Sequence, residues 1–130
     1  MTPVHRTLAG DVLAFDLAEE SRTVREELAA TQTRIAHPRI ARTLVKEGPL
    51  RLTLVGVGPG GALREHQADG PVSIHVLEGE IVLDAGGQSR TLPAGSLAAL
   101  DAGVRHAVRS EPGGLFLLTV AAPASASGTA

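Results

Sequence analysis

No cysteine, tyrosine or tryptophan occurs in the 130 residues, and there are only two phenylalanines. The lack of cysteine excludes disulfides, zinc–thiolate sites and thiol nucleophiles outright. With aromatics at 2% of the chain, there is almost nothing on which to stack bases or sugar rings. A surplus of positive charge is missing too. The formal net charge is −2, which argues against a general nucleic-acid binder with its basic face. No apolar run approaches the ~20 residues that a membrane-spanning helix needs. The opening residues, MTPVHRTLAGDV, lack the charged-then-apolar order of a secretory signal, so a cytoplasmic protein with no membrane association is expected.

What remains is ordinary globular material, 43% hydrophobic and 20% charged, of a length that suits one domain with a proper core. Residues 1–39 read as an arm. Asp16 and Glu19 stand at capping-box spacing before a segment rich in Ala, Glu, Leu and Arg, which predicts a helix over about 17–32. Leu17, Val24 and Leu28 give that helix a narrow apolar stripe, so it is expected to lie on something else. The pair His37-Pro38 forbids its continuation, because the residue before a proline is pushed toward extended backbone.

From Ile40 the period changes to two. Leu50, Leu52 and Leu54 alternate with Arg51, Thr53 and Val55, and Val72, Ile74 and Val76 alternate with Ser73 and His75. Short runs such as IVLDA, SLAAL and LFLLTVA follow, separated by glycine- and proline-rich turns, among them Gly86-Gly87 with its hairpin chemistry. Many short strands without intervening helices predict an all-β antiparallel barrel or sandwich over 40–121. The residues after it, 122–130, carry too little apolar content to order themselves.

Two glycine frameworks sharpen this reading. In the first, Gly60 is followed after five residues by His66, then Ala68, Val72 after three more, and Gly79 after six. In the second, Gly95 leads after five residues to Asp101-Ala102-Gly103, then His106 after two and Ser110 after three. In spacing, both resemble the paired motifs of the cupins, small jelly-roll barrels of the double-stranded β-helix type, and the arm resembles that of single-domain members. The resemblance implies a barrel with a ligand pocket. It also implies a divalent metal (Zn, Ni, Mn or Fe) held by three His and one Glu.

The departures fall on those ligands. His66 and His106 keep the first and last positions, while Ala68 and Val72 occupy the other two and have no electron pair to donate. His75 is the remaining candidate. Strand parity aims it away from Val72, Ile74 and Val76, unless a bulge near Gly70-Pro71 shifts the phase. A carboxylate from Glu65, Glu80 or Asp101 would be needed to extend the pair. Arg105 and Arg109 share one strand face, opposite His106, and are expected at the surface, as are His5 and His37.

Three functions fit. One is a metal-dependent oxygenase, isomerase or lyase acting on a small molecule. The second is a non-catalytic barrel that senses or carries a small ligand. The third is a degenerate barrel with a structural role. A homodimer is expected in each case, with the Ser73, His75 and Leu77 face near the contact.

Overall fold

Asp16 opens the helix. In the computed structural model, which describes Leu8, Gly10 and residues 12–123, its side chain accepts the backbone N–H groups of Ala18 and Glu19. This is the capping that leaves fewer amides orphaned at a helix start. The helix, α1, runs over Leu17–Gln32 and buries Ser21, Val24 and Leu28. His5 and residues 124–130 of the expected tail lie outside the described residues.

The end of the arm differs in one respect from expectation. α1 stops at Gln32, and His37 before its proline has a φ of 54°, in the left-handed region rather than extended. Its ring explains the exception. Nδ1–H donates to the Pro59 carbonyl at 2.8 Å, tying the arm to the first glycine turn of the barrel.

Eight strands follow: β1 (Arg39–Glu47), β2 (Leu50–Val57), β3 (Gly61–His66), β4 (Val72–Ala85), β5 (Gln88–Pro93), β6 (Leu97–Leu100), β7 (His106–Ser110) and β8 (Gly114–Ala121). All their pairings are antiparallel. β4 is long enough to serve two sheets. Its first half pairs with β8 and β6, extending the ladder β1-β2-β8, and its second half pairs with β5 and β7, where β7 in turn pairs with β3. The two sheets curl over one core of Val55, Val57, Val72, Ile74, Val76, Ile81, Leu83, Val108 and Phe116.

A second core lies outside the barrel. Val24 and Leu28 of α1 pack on Leu44, Val45, Leu54 and Leu115. Gly56 permits this contact, since a Cβ there would sit 2.6 Å from Val24 Cγ1 and 2.8 Å from Leu28 Cδ1. Arg42, buried on β1, reaches Glu20 of α1 at 2.8 Å and Glu27 at 3.7 Å. The helix therefore covers the outer face of β1 and β2, so β2 is packed on both faces. At the far side of the barrel, Gly86 and Gly87 take φ of 59° and 75° in the β4–β5 hairpin, as a tight turn with two positive φ requires. Past β8, Ala122 is buried and its N–H donates to the Pro49 carbonyl at 2.7 Å.

Candidate functional site

His66 ends β3 and His106 begins β7, and the register makes them direct cross-strand partners. An irregularity between Leu63 and His66 lets β3 regain the phase that aims His66 at its partner. The two rings lie 4.2 Å apart between centroids, tilted by 58°. His106 is flanked on its other side by Ala85 of β4 and is buried, whereas His66 is exposed.

Each imidazole is oriented by its own backbone. His66 Nδ1 bonds the Arg64 carbonyl, and His106 Nδ1 bonds the Val104 carbonyl, both at 3.0 Å. A carbonyl only accepts, so Nδ1 carries the proton in each ring. In the neutral form Nε2 is then left with a free lone pair, able to accept a hydrogen bond or to ligate.

Both rings line a cavity of about 210 Å³ at one end of the barrel. Ala68, Val72, Leu118, Val120 and Ala122 supply its apolar wall, with Arg51, Thr53, Gln67 and Asp69 as further polar members. The loop after β3 is pinned in place, because Gly103 N–H of the second motif donates to the Ala68 carbonyl at 2.9 Å. The two glycine frameworks thus meet at this cavity.

The other expected residues are elsewhere. His75 is exposed on β4 between the buried Ile74 and Val76. The irregularity of β4 against β8 falls between Val76 and Glu78, beyond His75, so it leaves the parity of His75 intact. Glu65 pairs with Arg105 at 3.1 Å, both exposed. Arg109 pairs with Asp84 at 3.0 Å, and its hydrogen bond holds that carboxyl below the usual carboxylate range. Asp101 caps its own turn by accepting the Ala102 N–H at 2.8 Å. None of Glu65, Glu80 and Asp101 lines the cavity; its acid is Asp69. A larger groove of about 460 Å³ runs beside α1, but its charged residues Arg25 and Glu78 are already paired with each other.

Two curled antiparallel sheets around one core, with a small polar-and-apolar cavity at one end, define a jelly-roll barrel. A family model described as a cupin domain matches residues 53–118, and the chain belongs to the cupin family. Among similar solved structures is a conserved Streptococcus pyogenes protein of unknown function. It is 22% identical with a TM-score of 0.64, over 68% of this chain and 78% of that one. TT1209 from Thermus thermophilus is 24% identical with a TM-score of 0.67, over 86% of this chain and all (100%) of its own. Salicylate 1,2-dioxygenase from Pseudoaminobacter salicylatoxidans is 16% identical with a TM-score of 0.74, over 89% of this chain and 35% of the dioxygenase. No curated protein matches significantly. At these identities the structural likenesses speak for the fold. No helix among the described residues is long and apolar enough to cross a membrane.

Cupins commonly bind metals, and the donor set here departs from that pattern. Ala68 and Val72 line the cavity with hydrocarbon, and among the described residues no group of three or more His, Cys, Asp or Glu is arranged to hold a metal ion. The Arg51 guanidinium lines the same cavity and would repel a cation. A four-donor centre does not fit these residues.

Proposed function

We propose that this protein is a small-molecule-binding barrel that senses or carries its ligand. One observation carries the reading: a cavity of about 210 Å³ whose wall is mainly apolar and whose few polar groups converge, as ligand sites require. His66 and His106 offer acceptor nitrogens to the ligand, and Ala68 and Val72 give its apolar part somewhere to lie. Screening the full chain by thermal shift against small organic molecules tests this. At least one class should raise the melting temperature, as a ligand that binds only the folded state must. Stoichiometric divalent metal in untagged protein, with stability lost on chelation, would favour the metal-dependent enzyme instead.

That second reading has one observation in its favour, the two Nδ1-anchored imidazoles with free Nε2 atoms. It makes a distinct forecast. Calorimetric titration with Zn²⁺ or Ni²⁺ should show affinity falling at least about tenfold in His66→Ala and in His106→Ala, the scale that even a supporting partner of a metal ligand commands. His75→Ala should bind as the wild type does. Equal loss in all three variants would bring His75 into the site against its strand parity. No binding by the wild type would end the metal reading.

The homodimer belongs with either reading. Its contact is proposed on the outward side of β4 and β6, where Leu97 is 68% exposed next to His75. Light scattering of the full chain at micromolar concentration should give twice the monomer mass. A monomer would contradict it.

A further inference from the structure

Arg51 is the residue of the cavity least explained by the fold. It stands on β2 on the inward side, the side of Thr53 and Val55, and its side chain lines the same cavity as His66 and His106. Its Nε and Nη1 atoms, which carry most of its N–H donors, are shut off from solvent and have no hydrogen-bond partner among the described residues. Nor does it make an ion pair there. Its cross-strand neighbours are Lys46 on β1 and Val120 on β8, one a like charge and the other hydrocarbon. The acid of the lining, Asp69, lies farther off than an ion pair allows.

A guanidinium cannot shed its proton to escape burial, since it stays charged across the accessible pH range. Among the described residues, the one arginine that is buried as a whole residue does find partners. Arg42, at 7% exposure, has Glu20 and Glu27. Arg51 has buried donors and a wall of Val72, Leu118 and Val120 around them. Arg51 is only partly buried as a residue, but two of its guanidinium nitrogens are desolvated without an acceptor among the described residues, which costs free energy that an entering anion would offset.

We infer that Arg51 is the anion-binding group of this cavity and that the ligand is a small monocarboxylic acid with an apolar body. The inference rests on the small-molecule reading above and names its ligand class. The chemistry of the lining sets the class. One guanidinium neutralises one negative charge, and its planar array of donors matches a carboxylate. A cavity of about 210 Å³ holds a body on the order of ten non-hydrogen atoms. The alkyl lining suits a hydrocarbon portion of that size.

The test compares acids with their neutral isosteres on the full chain. Benzoate and hexanoate are titrated against benzamide and hexanamide by calorimetry, in wild type, Arg51→Met and Arg51→Lys. Wild-type protein should bind the carboxylates at least about tenfold more tightly than the amides, the scale of one charge-assisted hydrogen-bonded contact. Arg51→Met should lose that preference and bind each acid no more tightly than its amide, and Arg51→Lys should restore only part of it. Without ligand, Arg51→Met should melt no lower than the wild type, because it removes two desolvated nitrogens that have no partner among the described residues. Should it fail to fold, Arg51→Gln gives the same comparison. Equal binding of acids and amides by the wild type would overturn the inference while leaving a small-molecule barrel. So would a carboxylate preference that survives in Arg51→Met. Failure of acids and amides alike to bind would overturn the inference, and no binding in the wider screen would overturn the small-molecule reading as well.

Discussion

Alanine at position 79 should destabilise the barrel by about 3–5 kcal/mol, while alanine at position 86 should cost only about 1 kcal/mol. Both glycines have left-handed backbone, with φ of 69° and 59°. Conformational strain alone therefore predicts similar losses, on the order of 1–2 kcal/mol each. Their surroundings separate them. A Cβ on Gly79 would lie 2.2 Å from the Gly113 carbonyl oxygen and 2.9 Å from Gly114 Cα, whereas one on Gly86 meets nothing within 4 Å. The obstacles at 79 are backbone, which cannot rotate aside as a side chain does. Gly79 also sits where β4 passes from one sheet to the other, and its carbonyl accepts the Ala94 N–H at 3.0 Å. Displacing it disturbs both sheets at once. Urea denaturation of the two variants is the measurement, and equal losses would show that the close approach at Gly79 carries no energy of its own.

The fold was legible because its signals agree across levels. Alternation, turn chemistry and two glycine frameworks all demand short antiparallel strands, and Asp16 with the Leu17, Val24 and Leu28 stripe demands a docked helix. The sequence does not say which face of β2 the helix takes. In LRLTLV, the leucines and the Arg-Thr-Val set are equally valid inner faces by period alone. The structure sends Leu52 and Leu54 out to α1 and turns Arg51, Thr53 and Val55 toward the barrel.

That choice of face is why Arg51 escaped notice as a pocket residue. A charged residue alternating with leucines reads as solvent-facing under the ordinary apolar-in rule. The signal that could have found it was the helix itself, whose apolar stripe must be matched by an apolar sheet face elsewhere. The alternate residues Leu50, Leu52, Leu54 and Gly56 offered one. Asp69 had no such signal, because it lies in the loop after β3, where neither period applies. His66 and His106 were legible from their glycine frameworks, and His75 from strand parity. Their cross-strand register required the irregularity in β3, which spacing does not encode.

Phe116→Ala should be among the most damaging single truncations of the core, at about 3–5 kcal/mol. Phe116 is 1% exposed and stands between Val55 of β2 and Val76 of β4 as their direct cross-strand partner. It therefore joins the ladder on both sides at the centre of the barrel. With only two phenylalanines and no Tyr or Trp in the chain, the core has no second ring positioned to close over the void. The cost combines lost transfer energy with a cavity that rigid strands cannot collapse, and it is a large part of the ~5–15 kcal/mol that holds a typical domain together. Phe116→Leu should lose less than half as much, since it keeps most of the hydrocarbon. Ile35→Ala, at a residue 55% exposed beyond the end of α1, should change stability by no more than about 0.5 kcal/mol. Leu118 and Val120 share the inward face of β8 with Phe116 and line the cavity of His66 and His106, so the truncation should also loosen that wall. Thermal unfolding of the three variants at equal concentration decides the matter. A Phe116→Ala protein that melts as the wild type does would mean that the barrel core is not centred on this ring.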